Sequence, residues 1–297
     1  MTGYRFLDPA LLAKIDNLEL VARTVVDGFI SGLHRSSYLG RSVDFAEHRA
    51  YMPGDDIRRI DWRVFGRSDR FFVKEFEADT NANFTIVLDV SRSMAYGSGA
   101  VTKLDYARFL AASLAWFARR QRDRIGLVTF DGSVRTAIPP SAKHLDVILH
   151  ALDTLEPGGA GTLLAPFERV AELVRRRSLL LVISDLYEDP DVVTRAVGRL
   201  AAGGNDVMVF QVLDPAERTF PFEEAADFED LETGERLPVV PGEQREEYVA
   251  LMDAHVSNVG RGLIAGGVDY AVFETSQPLD FALFEFLTRR QRLSRVR

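Results

Sequence analysis

From residue 84 onward, short continuous apolar runs alternate with segments whose apolar residues recur every three to four positions. The runs have the length of strands, and their unbroken apolar character is typical of strands covered on both faces. The predicted strands are Phe84–Val90, Arg124–Phe130, Leu179–Ser184, Asp206–Leu213 and Val268–Glu274. The spaced segments between them are typical of helices. This alternation predicts an α/β domain with a doubly wound, mainly parallel sheet and helices on both faces.

The predicted helices are Leu104–Gln121, Ser141–Leu155, Leu164–Arg177, Asp191–Ala202, Glu243–Gly262 and Leu279–Gln291. The first of them carries apolar residues on nearly every face, which indicates burial on most sides. We expect an amphipathic N-terminal helix over Leu11–Ile30 to cover it. The alternative is that its bulky residues Tyr106, Phe109 and Trp116 mark a surface for a partner.

The pattern changes at about residue 80, which predicts two parts. Residues 1–80 form an N-terminal helical and mixed extension, and residues 81–297 form the α/β domain, with a hairpin inserted near residues 218–241. Within the extension, Ile57–Val64 fits either a short helix or a strand, and Phe71–Glu77 fits a strand. The mixed charges of residues 55–63 either hold the extension to the domain by ion pairs or form a docking face.

The composition mainly excludes certain kinds of site and partner. The 46% hydrophobic and 27% charged residues are ordinary for a globular protein. The absence of cysteine excludes disulfides, zinc–thiolate sites, iron–sulfur clusters and thiol nucleophiles. A net charge of −8 disfavours nucleic acid as a partner of the whole surface. The arginines between residues 289 and 297 form a basic end, which is either a solvated terminus or a docking segment. We expect no membrane span and, because no signal peptide is recognisable, a cytoplasmic location.

Oxygen-bearing side chains collect at the end of the first predicted strand. Asp89, Ser91 and Ser93 alternate with Val90 and Arg92 directly after the apolar run. In extended backbone, residues two apart point to the same side, so these three side chains converge. Their oxygens are the ligands that magnesium, calcium and manganese prefer. The structural alternative is a turn or a helix cap, because Asp and Ser favour both.

Two further oxygen groups are expected near this position. Asp185 directly follows the strand Leu179–Ser184, and Thr162 follows a glycine-rich run, residues 158–161, that allows close approach of the backbone. In open α/β sheets, ligands bind at the carboxyl ends of strands, where the strand order reverses. The two residues are therefore predicted at the same edge of the sheet as Asp89.

Together, the Asp-x-Ser-x-Ser run, the isolated threonine and the later strand-end aspartate resemble the metal-ion-dependent adhesion site of von Willebrand factor A domains. The resemblance implies that Ser91 and Ser93 bind the metal directly, that Thr162 binds it directly or through water, and that Asp89 and Asp185 bind it mostly through water. Magnesium is the expected ion, with manganese or calcium as alternatives. The inner shell then stays neutral, so the ion is electrophilic at its open position, where a partner's carboxylate completes the octahedron.

A second motif lies upstream. The segment Pro53–Trp62 reads PGDDIRRIDW and, with Gly40, Arg49 and Tyr51, resembles the signature of domain of unknown function family 58. The resemblance implies a cytoplasmic protein with an A-type domain, associated with a MoxR-type AAA+ ATPase. It also implies a role as adaptor or co-chaperone in the assembly or maturation of protein complexes. The expected partner is that ATPase or its client, which presents Asp or Glu to the metal.

Motifs for catalysis do not appear. The five histidines have no metal-binding spacing, and no nucleophile elbow or phosphate-binding loop is present. We therefore expect a metal-dependent interaction protein that is not an enzyme. The alternative is a metal-dependent hydrolase, such as a phosphatase or nuclease, in which the ion activates water. A third hypothesis is a scaffold whose site stays empty in cells.

Overall fold

The structure is a computed structural model that describes residues 8–35, 48–50, 72–74, 82–174, 177–231 and 233–295. Several predictions made from the sequence fall outside these residues. They are the choice between helix and strand for Ile57–Val64, the role of the charges at 55–63 and the upstream motif Pro53–Trp62. The side chains of residues 290–297 also lie outside the described part.

A six-stranded sheet forms the centre of the molecule. Its strands are β3 (Asn83–Asp89), β4 (Arg124–Phe130), β5 (Val134–Ser141), β6 (Leu179–Ser184), β7 (Asp206–Leu213) and β10 (Asp269–Glu274), in the order β10-β7-β6-β3-β4-β5. All neighbours are parallel except β4 and β5. The strand order reverses between β3 and β6, which makes the carboxyl ends of these two strands the expected ligand position. The predicted fold class is confirmed.

Two small antiparallel pairs lie outside the central sheet. β1 (His48–Ala50) pairs with β2 (Phe72–Lys74), which places a strand within the predicted range Phe71–Glu77. β8 (Ala226–Glu229) pairs with β9 (Arg236–Val239), inside the range predicted for the inserted hairpin. The division of the chain at residue 80 stays a prediction.

Strand β5 is absent from the sequence prediction, which starts a helix at Ser141 instead. The segment contains Pro139 and Pro140, and its side chains alternate between partly and fully exposed, unlike the apolar runs of the other strands. Both features are tolerated because β5 is an edge strand with an irregular register against β4. The following helix begins later than predicted, at Leu145.

Helices cover both faces of the sheet. They are α1 (Pro9–Leu12), α2 (Leu18–Arg35), α3 (Lys103–Arg120), α4 (Leu145–Asp153), α5 (Leu164–Leu173), α6 (Pro190–Ala202), α7 (Pro215–Thr219), α8 (Pro241–Ala265) and α9 (Leu279–Arg295). Buried residues of α2, α3, α4 and α9 form one apolar core with one face of the sheet, and those of α5, α6 and α8 form a second core with the other. None of the helices in the described ranges is long and apolar enough to span a membrane.

The N-terminal helix covers α3, as the sequence predicts. Its residues Val21, Val25 and Phe29 are buried in the core shared with α3, and the two helices are in contact. Tyr106 and Phe109 of α3 are themselves buried, so the alternative of a partner surface there is wrong. The predicted single helix Leu11–Ile30 is interrupted before α2, where the Asn17 side chain accepts a hydrogen bond from the Leu20 N–H at 2.8 Å.

The packing of α9 on the sheet yields a matched pair of substitutions. Phe286 is fully buried, with its ring centroid 5.3 Å from that of Phe84, whereas Phe281 on the same helix is 60% exposed. We expect Phe286→Ala to lower the free energy of unfolding by about 3–5 kcal/mol and Phe281→Ala to stay within about 0.5 kcal/mol of wild type. Urea unfolding followed by circular dichroism measures both. Equal losses would contradict this packing of α9.

Candidate functional site

The site is organised by the parallel pairing of β3 and β6. Leu88 is in register with Ile183, so Asp89 and Ser184 leave the two strands side by side, and both are buried. The Ser184 hydroxyl donates to Asp89 Oδ2 at 2.6 Å. The Ser91 N–H donates to Asp89 Oδ1 at 2.8 Å. Both oxygens of the Asp89 carboxylate are therefore fixed in place where the strand order reverses.

Ser91 and Ser93 are brought together by a tight turn. Their Oγ atoms lie 3.1 Å apart and are hydrogen-bonded. The sequence predicted that extended backbone would bring these side chains together. Instead, a 3₁₀ turn begins directly after Ser91 and spans Arg92–Ala95. Such a turn shortens the distance between residues two apart. The hydroxyl pair predicted from the sequence thus exists next to Asp89, with a different backbone cause.

Asp185 lies at the end of β6, as predicted, and is buried. Its Oδ2 accepts a hydrogen bond from Lys103 Nζ at 2.8 Å, and its carbonyl accepts one from Gln211 Nε2 at 2.7 Å. The Asp185 carboxylate is close enough to Asp89 to disfavour a second negative charge there. Burial and this repulsion raise the pKa of Asp89 to about 7, against the lowering effect of the hydrogen bonds from Ser184 and Ser91.

A buried lysine is the main feature that sequence reasoning missed. The side chain of Lys103, at the start of α3, is fully buried and binds Asp185 and also Glu217, whose Oε1 lies 2.6 Å from Nζ. Burial acts to lower the pKa of Lys103, but the charges of Asp185 and Glu217 outweigh it and raise that pKa. The side chain is therefore an ammonium. Nothing in the sequence indicated this burial. Lys103 lies in the first turn of a helix, where lysine is usually solvated, and the residues that bury it are distant in the chain.

The glycine-rich loop approaches the serine turn as expected. The Gly158 N–H donates to the Val90 carbonyl at 2.5 Å, and the Arg92 N–H donates to the Gly159 carbonyl at 3.1 Å. A Cβ atom at Gly158 would lie only 2.5 Å from Oδ2 of Asp131, so this position requires glycine. Thr162 lies on the same loop with an exposed side chain. Within the described residues, its hydroxyl makes no hydrogen bond to the other four predicted ligands.

Asp131, at the end of β4, is a second residue that the sequence did not single out. It is buried, and its carboxylate accepts the N–H groups of Gly159 and Ser133, both at 3.0 Å. Burial acts to raise the pKa of Asp131, but these hydrogen bonds, together with the charge of Arg135, outweigh it and lower that pKa. The carboxylate therefore anchors the loop that carries Thr162 to the sheet edge.

The donor set fits a hard divalent cation, provided that hydroxyls take part. Among the described residues, no three His, Asp or Glu side chains are grouped so that they alone would hold a metal. Asp89 lies beside the hydroxyl pair of Ser91 and Ser93, and Asp185 lies near Asp89 at the same sheet edge. Oxygen is the donor that magnesium and manganese prefer. Asp89, Asp185 and Glu217 form a cluster in which Asp185 lies close to Asp89 and shares the single ammonium of Lys103 with Glu217. When all are ionised, that cluster retains a net negative charge that attracts a cation.

The raised pKa of Asp89 predicts how stability depends on pH. The folded-state pKa of about 7 lies above the ordinary value of 3.8, so its stabilising contribution is present below about pH 4 and is lost as the pH rises through 7. Asn keeps the shape of this side chain without the charge. We therefore expect Asp89→Asn to stabilise the metal-free protein above pH 7 by up to about 4 kcal/mol.

Urea unfolding in EDTA between pH 4 and pH 8 measures this difference. Asp16→Asn, at an exposed position between α1 and α2, is the matched control and should follow the wild-type curve. A pH profile of Asp89→Asn parallel to that of wild type would show that no buried carboxylate repulsion exists at this position.

The sequence is similar to those of two mycobacterial proteins. Over 292 residues, it is 27% identical to uncharacterized protein Rv1480 of Mycobacterium tuberculosis, and the match covers 96% of this chain and 91% of that protein. The same identity and coverage apply to uncharacterized protein Mb1516 of Mycobacterium bovis.

The chain is also similar to several solved structures. One is the conserved hypothetical protein BatB from Bacteroides thetaiotaomicron, with 19% identity, 71% of this chain and 99% of that chain covered, and a TM-score of 0.47. Another is the SpRpn10 VWA domain, with 14% identity, 68% and 93% coverage, and a TM-score of 0.38. The family described as "Protein of unknown function DUF58" matches residues 47–258, most of the chain, and the protein therefore belongs to the family that its upstream motif predicts.

Proposed function

We propose that the protein is a non-enzymatic interaction module that binds a protein partner through a divalent cation at the sheet edge. The proposed ligands are Asp89, Ser91, Ser93, Thr162 and Asp185. The observation that carries the proposal is the buried pair of carboxylates, Asp89 and Asp185, of which Asp89 is joined directly to the turn that carries the hydrogen-bonded hydroxyls of Ser91 and Ser93. Burying two like charges side by side is costly, and a divalent cation offsets that cost.

The chemistry of the donors favours binding over catalysis. Hydroxyls from the two serines are neutral, and both carboxylates are already engaged by hydrogen bonds from Ser184, the Ser91 N–H and Lys103. A cation held by neutral inner ligands keeps most of its charge for one further ligand. A carboxylate of a partner protein has the charge and the hard oxygen that such a position selects.

The proposed partner is the one that the resemblance of the upstream motif implies. A MoxR-type AAA+ ATPase, or a client of that machine, presents Asp or Glu to the metal, and the protein acts as an adaptor or co-chaperone in the assembly or maturation of protein complexes. Magnesium is the proposed ion, because the hydroxyl donors leave room for the waters that magnesium retains. Manganese is expected to substitute for it in experiments.

Capture of the MoxR-type ATPase of the same organism by the immobilised protein tests the proposal. We expect capture with magnesium and at least a tenfold loss of affinity after addition of EDTA, or in Ser91→Ala and Asp89→Ala. Ser257→Ala is the matched control, because Ser257 is exposed on α8, and it should bind like wild type. Capture that is indifferent to EDTA and to both site variants would contradict the metal-bridged mechanism.

A screen of phosphoesters with magnesium or manganese distinguishes the proposed interaction module from the alternative, a metal-dependent hydrolase. The interaction module is expected to show no turnover. Turnover that disappears in Ser91→Ala and persists in Ser257→Ala would assign water activation to the ion and would replace the proposed function.

A further inference from the structure

Lys103 occupies a position that a divalent cation would also favour. Its ammonium lies between Asp185 Oδ2 at 2.8 Å and Glu217 Oε1 at 2.6 Å, and the ring centroid of Tyr187 is 4.6 Å from Nζ. The side chain is fully buried. Two carboxylates and the electron-rich face of an aromatic ring are the surroundings that a desolvated cation requires.

The backbone fixes this lysine in place. Thr102 and Asp105 form a reciprocal capping box that sets the start of α3, and the Lys103 N–H donates to the Tyr96 carbonyl at 2.9 Å. Glu217 is fixed as well, because its Oε2 accepts the Asp214 N–H at 2.8 Å and caps α7. The ammonium is thus held by elements from three separate parts of the chain, and its contact with Asp185 is built into the fold.

Two cations can therefore bind the Asp185 carboxylate. It is the acceptor for Lys103, and under the proposed function it is also a ligand of the divalent cation. We propose that the Lys103 ammonium competes with the cation for Asp185 and thereby sets the affinity of the metal site. This inference rests on the proposed function. A unit charge within about 10 Å of a divalent ion, at the effective dielectric constant of a protein interior, is sufficient to change a dissociation constant more than tenfold.

Glu217 takes the opposite role in this competition. Its carboxylate binds the same ammonium, which weakens the interaction of Lys103 with Asp185. It also adds negative charge near the divalent cation. Removing the Lys103 charge should tighten metal binding, whereas removing the Glu217 charge should weaken it. The single carbonyl oxygen of Gln at position 217 can still accept the Asp214 N–H and cap α7, so the substitution removes the charge together with the hydrogen bond from Lys103.

The test is calorimetric titration of the metal-free full chain with manganese chloride. Relative to wild type, we expect the dissociation constant to fall at least about tenfold in Lys103→Met and to rise about threefold or more in Glu217→Gln. Lys143→Met is the matched control, because it removes the same charge from an exposed position, and its dissociation constant should be unchanged.

Lys103→Met leaves two buried carboxylates without a cation, so its stability is measured in parallel by thermal unfolding. The double variant Lys103→Met, Glu217→Gln removes a neutral ion pair and keeps the test valid when the single variant does not fold. Because its two charge effects oppose each other, it should bind manganese about threefold more tightly than wild type, the product of the two single changes. In both variants, manganese should raise the melting temperature more than it does in wild type.

The possible results separate this inference from the proposed function. Equal manganese affinity in wild type, Lys103→Met and the double variant would overturn the competition and leave the metal site standing. Binding by the Lys103 variants but not by wild type would support the competition and reject a metal-bridged function of the native protein. Absence of binding in every variant would overturn both.

Discussion

The structure depends on the hydrogen bonds and the ion pair that stabilise two carboxylates buried where the strand order reverses. Asp89 and Asp185 end two neighbouring parallel strands and are both almost fully removed from solvent. Burial and, after it, repulsion between the two like charges raise the pKa of Asp89. Ser184, the Ser91 N–H and Lys103 each provide a donor to these carboxylates, and together they make the arrangement tolerable.

The rest of the fold holds those donors in position. The strands β3 and β6 are covered on both faces by apolar cores, so the carboxyl ends of the two strands cannot shift relative to each other without disturbing the packing. Helix α3 carries Lys103 at its first position and is in turn covered by α2. The short helix α7 presents Glu217 to the same ammonium. Elements far apart in sequence are thus needed to neutralise one strand-end carboxylate.

Local sequence patterns predicted most of the fold and part of the site. The apolar runs of β3, β4, β6, β7 and β10 identified the strands because burial on both faces leaves a continuous apolar signal. The edge strand β5 gave no such signal, since one of its edges is open and prolines are tolerated there. The upstream motif identified the family, and the strand-end positions of Asp89 and Asp185 indicated the candidate site.

The charges that balance the site were not predictable in this way. Lys103 follows a capping threonine and resembles any solvated lysine in a first helical turn, and its burial arises only when Asp185 and Glu217 surround it. Asp131 likewise gains its role from a loop 28 residues further along the chain. The spacing of Asp214 and Glu217 is typical of a capping box, so a helix start after β7 could have been predicted from it, although none of the helices predicted from the sequence begins there.

The central claim is that the sheet edge where β3 and β6 meet is a cation site. Crystals grown with manganese test it directly, because anomalous scattering locates the ion without assumptions about its ligands. We expect an anomalous peak bound by the hydroxyls of Ser91 and Ser93, with Asp89 and Asp185 in contact directly or through water. Ordered electron density for these residues with no anomalous peak between them, or manganese bound only elsewhere on the protein, would contradict it.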